Sequence, residues 1–155
     1  MLFRSGGSCL VLTTDKDSYQ LASDRVTILS PVRGSKELDR IGPIQVVERF
    51  GVLPEQVPDF KALAGDSSDK IPGAKGIGPK AAASLLLKHG TLERVVEAWD
   101  RHADTELVLR FKQVATMRDD ARVELPAHQV RWTEGAQALR QAGASGIASR
   151  LEQQA

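Results

Sequence analysis

The sequence has few of the features that would place it in several common protein classes. Cys9 is its one cysteine, which excludes a disulfide framework and a cysteine-rich zinc site. No apolar run approaches the ~20 residues that span a bilayer, and residues 1–8 have no apolar core of the kind that a signal peptide needs. The sequence therefore predicts a protein of the reducing cytoplasm with no membrane partner.

An excess of charge of one sign is also missing, because the net charge is only +1. Any affinity for a polyanion must then come from segregation of the charges, with basic residues in one part of the surface and acidic residues in another. The 155 residues are one domain's worth of chain. No low-complexity linker divides them, so we expect one domain over 9–155 after a disordered leader or truncation scar at 1–8.

A short turn that opens a helix is the clearest pattern in the chain. Gly73, Gly76 and Gly78 allow backbone conformations and close approaches that a Cβ would obstruct. Pro79 suits the first position of a helix, and the good helix formers after it are closed by Gly90. The pattern predicts a glycine hairpin that presents backbone N–H groups at a helix start.

The charges around this hairpin favour an anionic ligand. Between residues 70 and 92 there is no acidic residue, and the basic side chains include Lys70, Lys75, Lys80 and Lys88. Orphan N–H groups and the helix dipole attract the same charge. A nucleic-acid phosphate is the natural ligand, whereas the glycine motifs of nucleotide-cofactor sites are absent. The alternative is a plain turn between two packed helices.

Two pairs of aspartates form the second pattern. Asp15 and Asp17 follow the apolar run 9–13, which predicts a buried strand, and Asp66 and Asp69 lie three residues apart. Carboxylates at a sheet edge or on one face of a turn are suitable ligands for a divalent cation. The alternative for the first pair is that one aspartate caps the helix that begins near residue 18.

The remaining elements give the fold class. A second strand is predicted over 26–29, and a surface loop or hairpin over 33–41. Gly42 and Pro43 then open an amphipathic helix, and we expect Ile44, Val47 and Phe50 to face the core. Helices dominate the chain after this point, which predicts an α/β, mostly helical protein.

Two motifs in this order resemble the bacterial 5′–3′ exonuclease and flap endonuclease family, which includes the N-terminal nuclease domain of DNA polymerase I and stand-alone homologues. The first motif is LTTDKDSYQL at 12–21, and the second is FKALAGDSSDKIPG at 60–73, followed by the hairpin. The resemblance implies the C-terminal half of a PIN-like 5′ nuclease fold. It also implies a DNA-binding helix-three-turn-helix (helix-hairpin-helix, SAM-like) element at about 58–99.

The resemblance further implies a function and a set of site residues. The family hydrolyses phosphodiester bonds with two divalent ions, Mg²⁺ or Mn²⁺, on double-stranded or flapped DNA near the nucleoid, without a small-molecule cofactor. The metal ligands and catalytic residues would be Asp15, Asp17, Asp66 and Asp69. The DNA backbone would be held by Gly73, Lys75, Gly76, Gly78 and Lys80, with K⁺ a candidate ligand of the hairpin.

The sequence also departs from the family pattern. Full-length members carry further acidic residues and a basic, aromatic arch before the strand that here begins at Cys9. We therefore expect an N-terminally truncated fragment with open sheet edges that self-associates. Whether it is an enzyme stays open, because the alternative is a non-catalytic, sequence-independent duplex DNA-binding module. A purely structural interpretation of the motifs as turns and caps is the third possibility.

Overall fold

The computed structural model describes residues 7–32, 34, 37–99, 102–118, 120–122 and 132–152. Two compact units divide the chain, the first at 1–120 and the second at 121–155. Within the described residues, no helix has both the length and the apolar character needed to cross a membrane. Most of the predicted leader, residues 1–6, lies outside the described residues.

The first unit begins with a three-stranded sheet in the order β1-β2-β3. Its strands are β1 (Cys9–Leu12), β2 (Val26–Pro31) and β3 (Leu38–Ile41). β1 runs parallel to β2, with Leu10 opposite Thr27, and β3 runs antiparallel to β2. The predicted strands are present, and the segment at 33–41 contains the return strand of a hairpin.

The other regular elements of the described residues are helices. In the first unit they are α1 (Pro43–Phe50), α2 (Val57–Ala64), α3 (Pro79–His89), α4 (Leu92–Glu97) and α5 (His102–Ala115), with 3-10 helices at Lys16–Leu21 and Pro54–Gln56. The second unit contains α6 (Trp132–Gln141) and α7 (Ser145–Glu152), which pack on each other. Pro79 opens α3 and Gly90 caps its end, as the sequence predicts.

α2 is the central helix of the first unit. Every residue from Val57 to Leu63 is buried, and α3, α4, α5 and the first 3-10 helix all pack against it. Its apolar side chains join those of the sheet, including Ile28 and Ile41, in one hydrophobic cluster. The residues that immediately follow α2 are therefore held on a rigid support.

The predicted core face of α1 is right for Phe50 and wrong for Ile44 and Val47. Ile44 is 69% exposed and Val47 is 41% exposed, whereas Val46 is fully buried and Phe50 packs on the core. Val46 and Phe50 are four residues apart and so share one helical face. Because valines occupy both positions 46 and 47, the spacing of apolar residues allowed either face.

The outer face of the sheet carries exposed leucines. Leu10 and Leu12 on β1 are 57% and 65% exposed, and Leu38 on β3 is 47% exposed. β1 pairs with β2 on one side and, among the described strands, has no partner on its other side. Both faces of a parallel strand pair are normally covered by other elements, and apolar side chains on them are then buried. Here the leucines are exposed, so this face is an unusually apolar surface.

Candidate metal centre and phosphate-binding hairpin

Three of the predicted aspartates converge on one point. Asp17 lies in the 3-10 helix that follows β1, and Asp66 and Asp69 lie in the loop that follows α2. One carboxylate oxygen from each of the three lies within 4.8 Å of the others. The fold thus brings the two sequence motifs together, although they are far apart along the chain.

A buried lysine holds these three carboxylates together. Lys61 projects from α2 with its side chain only 4% exposed. Its Nζ lies 2.7 Å from Asp66 Oδ2 and 3.2 Å from Asp69 Oδ2, and it also contacts Asp17 Oδ1. An ammonium group has three N–H donors, so each can be directed at one carboxylate.

The pKa of Asp66 is lowered by its hydrogen-bond partners. Partial burial raises the pKa of Asp66, but hydrogen bonds from Lys61 and Ser68 outweigh that effect and lower it to about 2. Ser68 contributes through its backbone N–H at 2.9 Å and through its hydroxyl. Asp66 is therefore a carboxylate at neutral pH, the form that binds a cation.

The fourth predicted ligand, Asp15, points elsewhere. Its carboxylate accepts a hydrogen bond from the Asp17 backbone N–H at 2.9 Å and caps the 3-10 helix. Within the described residues, the group of three clustered carboxylates does not include it. The capping role that the sequence left open for this pair is thus present at Asp15, and it fixes the turn that carries Asp17.

The loop that carries Asp66 and Asp69 is closed at its base. The backbone of Asp66 exchanges two hydrogen bonds with Ile71, at 2.8 and 2.9 Å. Gly65 and Gly73 both have positive φ, +83° and +74°, and a Cβ on Gly73 would lie 2.5 Å from the Gly65 nitrogen. The two ends of the loop therefore touch through backbone atoms, which only glycine permits at position 73.

The hairpin continues directly from this loop into α3. The Ala74 N–H donates to the Leu63 carbonyl at 2.8 Å, which ties the hairpin to the end of α2. Gly76 has a φ of +78°, and Gly78 is the N-cap of α3. Four of the predicted DNA-binding residues are exposed here, namely Lys75, Gly76, Gly78 and Lys80, whereas Gly73 is half-buried against Gly65.

The carboxylate cluster fits a divalent cation. Its donors are hard oxygen atoms, which Mg²⁺ and Mn²⁺ prefer. Asp17, Asp66 and Asp69 are 25%, 15% and 37% exposed at their side chains, so an ion can reach them from solvent. The ammonium of Lys61 already lies among them, which shows that the three side chains are arranged around a positive charge.

Two charged residues of this region were not identified as functional from the sequence. Lys61 and Asp59 both lie inside α2 and are only 3% exposed. Asp59 accepts a hydrogen bond from the Leu92 N–H at 2.9 Å and pairs with Lys112 at 2.7 Å. The sequence did contain a signal, which is a lysine and an aspartate within an apolar helical segment. Such residues are rarely buried unless they are paired, so their position could have indicated partners elsewhere in the chain.

Comparison with known proteins relates this geometry to a family. A family model described as 5′–3′ exonuclease, C-terminal SAM fold, matches residues 52–138. DNA polymerase I of Deinococcus radiodurans is 50% identical over 95 residues, which cover 61% of this chain and 9% of that protein. The thermostable DNA polymerase I of Thermus thermophilus is 40% identical over 128 residues, which cover 83% and 14%. The chain therefore spans only a small part of the length of these curated relatives.

Solved structures show the same fold. The flap endonuclease of bacteriophage T5, solved as a pseudo-enzyme-product complex with DNA and metal ions, superposes with a TM-score of 0.61 at 22% identity. The match covers 70% of this chain and 42% of that one. T5 5′-exonuclease with bound zinc ions gives a TM-score of 0.60 at 23% identity over 70% and 42%. Because the family model matches more than half of its residues, the chain belongs to the 5′–3′ exonuclease family, in the C-terminal SAM-fold region.

Proposed function

We propose that this chain takes part in the metal-dependent hydrolysis of DNA at 5′ ends or flaps, in the cytoplasm at the nucleoid. The observation that carries the proposal is the convergence of Asp17, Asp66 and Asp69 within 4.8 Å. The loop that carries Asp66 and Asp69 leads directly into an exposed glycine and lysine hairpin. A cation site beside a phosphate site suits a phosphodiester substrate.

Each part of this surface has a separate role in the proposal. Asp17, Asp66 and Asp69 would hold Mg²⁺ or Mn²⁺, while Asp15 would support them by capping the turn of Asp17. Divalent ions held by carboxylates lower the pKa of a bound water and stabilise charge on the leaving oxygen. No side-chain nucleophile is then required, so the protein's task is to hold the ions and to position the phosphate.

The hairpin would position the DNA. Lys75 and Lys80 are exposed on either side of Gly76 and Gly78, and the first turn of α3 directs backbone N–H groups outwards. Contacts of this kind bind phosphates without reading bases, so the proposed partner is duplex or flapped DNA of any sequence. We also propose K⁺ as a candidate ligand of the hairpin carbonyls.

The second candidate function is DNA binding without catalysis. Two-metal hydrolysis needs two ions held together by carboxylates and other donors. Within the described part of the chain, one group of three clustered carboxylates is present, formed by Asp17, Asp66 and Asp69. Three carboxylates suffice for one ion, which favours this candidate for the chain in isolation.

Cleavage of a 5′-flap DNA substrate separates the two candidates. The first candidate predicts cleavage by the purified chain with Mg²⁺ or Mn²⁺, no cleavage with EDTA, and loss of cleavage in Asp66→Asn, because that change removes a charged ligand. Asp120→Asn, at an exposed carboxylate paired with Arg118, is the matched control. DNA that is bound but not cut would support the second candidate, and cleavage that survives Asp66→Asn would contradict the metal assignment.

The DNA surface can be tested independently of cleavage. We expect Lys75→Ala and Lys80→Ala each to weaken duplex binding and to reduce the dependence of log K on log salt by about one, whatever the base sequence. Lys88→Ala is the matched control, because Lys88 is exposed in the last turn of the same helix. Fluorescence anisotropy at several salt concentrations measures the effect. Equal losses in all three variants would place the DNA elsewhere.

A further inference from the structure

Lys61 is positioned where a metal ion would be expected to bind. Its Nζ contacts all three carboxylates of the cluster, and its side chain is only 4% exposed. One ammonium against three carboxylates leaves the group with a net negative charge. The cluster therefore has a cation of its own and still attracts another.

We propose that Lys61 is a tethered counter-ion, which occupies the cation position of Asp17, Asp66 and Asp69 without metal and leaves it when a divalent ion binds. This inference rests on the proposed function, since it concerns the same cluster. It assigns Lys61 as a positioning residue that sets the affinity for the metal. The metal and the ammonium compete for the same oxygen atoms.

The first argument is that the carboxylates and the ammonium each require the opposite charge. Three carboxylates this close repel one another unless a positive charge lies among them. A buried ammonium is equally costly unless it is paired and its hydrogen bonds are satisfied. Lys61 and the three aspartates meet both requirements together, so the cluster can form in the absence of any metal.

The second argument is that a metal ion and the Lys61 ammonium cannot occupy the site together. Nζ lies 2.7 Å from the nearest Asp66 oxygen, and the three clustered oxygens lie within 4.8 Å of one another. A divalent ion that bound these oxygens would be in close contact with the ammonium. Repulsion between two such cations in a partly buried site is strong. Occupation by one therefore disfavours occupation by the other.

The third argument is access. The carboxylates of Asp17 and Asp69 are 25% and 37% exposed, whereas the ammonium that they surround belongs to a side chain that is 4% exposed. An ion can reach the carboxylates from solvent without passing Lys61. The flexible four-carbon stem of lysine allows Nζ to withdraw as the ion enters.

The direct test follows the ammonium signal itself. In protein labelled with ¹⁵N-lysine, we expect a protected Lys61 ammonium resonance in EDTA, identified by its loss in Lys61→Met. Addition of Mg²⁺ should shift or broaden this signal in proportion to saturation of the site. The Lys70 signal, from an exposed lysine of the same loop, should stay unchanged. This measurement uses the unaltered chain and does not depend on a variant that folds poorly.

The affinity for Mg²⁺ provides the second readout, by calorimetric titration. We expect Lys61→Met to bind Mg²⁺ at least about tenfold more tightly than the wild type, because removing a like charge at this distance has effects of that size. The control Lys70→Met removes a charge from the same loop and should change affinity much less. Lys61→Met should also unfold at a lower temperature in EDTA and regain stability when Mg²⁺ is added.

The outcomes distinguish this inference from the proposed function. If Mg²⁺ binds at the cluster, as judged by loss of binding in Asp66→Asn, while the Lys61 signal is unaffected and Lys61→Met binds no more tightly, the counter-ion role is overturned and the metal site stands. If Mg²⁺ binds neither the wild type nor Lys61→Met, both are overturned. Displacement of the Lys61 signal with tighter binding in the variant supports both.

Discussion

Gly73 shows how a single residue without a side chain determines the shape of the acidic loop. Its φ is +74°, and the space where a Cβ would project is filled by backbone atoms of Leu63, Ala64 and Gly65. Its role in the structure is therefore contact within the protein. The sequence analysis placed it among the DNA-binding residues, and that assignment stays a prediction.

Gly73→Ala should destabilise the first unit strongly. The added Cβ would lie 2.5 Å from a backbone nitrogen, which cannot be relieved by rotation of a side chain. We expect a loss of more than about 3 kcal/mol in the free energy of unfolding, measured by urea denaturation. Gly90→Ala is the matched control, because Gly90 has a φ of +85° but nothing within 4 Å of its Cβ position.

The Gly90→Ala control separates the cost of backbone conformation from the cost of a steric clash. Gly90→Ala should cost only the strain of a positive φ without a steric clash, and therefore less than Gly73→Ala. Equal losses at the two glycines would mean that the close approach between Gly73 and Gly65 contributes nothing to stability.

At this scale the sequence analysis named side chains that the fold brings together. Asp17, Asp66 and Asp69 were named through the resemblance of their two motifs to a nuclease family, and one oxygen of each lies within 4.8 Å of the others. Their role as metal ligands stays a prediction. Lys61 lies within the second motif, at 60–73, but no role was predicted for it. Its importance depends on a contact with Asp17, which is remote in sequence, and the spacing of residues carries no information about such contacts.

Among the elements, α2, α4 and α5 are tied together by one charged group. Lys112 on α5 lies 2.7 Å from Asp59 on α2 and 2.8 Å from Glu93 on α4. Burial lowers the pKa of Lys112, but its two carboxylate partners outweigh this and raise it. For Glu93, burial raises the pKa, while Lys112 lowers it below its usual range. These opposite shifts indicate a favourable interaction across three helices.

Lys112→Met should lower the free energy of unfolding, because it removes the charged group that links these three helices. It would leave the carboxylate of Asp59, which is 4% exposed, without its cation, and removing one partner of a buried pair costs about 3 kcal/mol or more. Thermal unfolding measures the loss. Arg110→Met is the matched control on the same helix, since Arg110 and Glu106 are 70% and 80% exposed, and it should cost less than about 1 kcal/mol. A Lys112 variant as stable as this control would contradict the assigned role.

Element boundaries were easier to predict than element orientation. Pro79 and Gly90 delimit α3 as expected, because their effects act on the local backbone. The core face of α1 was predicted correctly only at Phe50, because tertiary packing determines which face is buried, and here Val46 contacts the core while Ile44 remains exposed. A short helix with apolar residues on two faces does not carry that choice in its own sequence.

At the scale of the whole molecule, the outer face of the sheet is an exposed apolar surface. Among the described strands β1 is an edge strand and carries Leu10 and Leu12, and exposed Leu38 lies on the opposite edge strand, β3. An exposed edge strand with apolar side chains is a template for pairing with another chain. We therefore keep the proposal that this chain self-associates.

The double change Leu10→Lys with Leu12→Lys should abolish this association. We expect the wild type to show concentration-dependent dimers or larger species in sedimentation velocity, and the variant to be monomeric, because lysines on an edge strand oppose pairing. Leu87→Lys is the control, since Leu87 is 85% exposed on α3. A wild-type monomer at every concentration would contradict the proposal.

The closed base of the acidic loop also affects the thermodynamics of ligand binding. Because Asp66 and Ile71 are paired and Gly65 touches Gly73, the entropy lost in bringing the ends of this loop together has already been spent during folding. An ion that binds between Asp66 and Asp69 then has little chain to order. Preorganisation of this kind increases affinity by reducing the cost of binding, without any added contact. The same backbone closure that excludes a side chain at position 73 therefore contributes to the strength with which the loop can hold a cation.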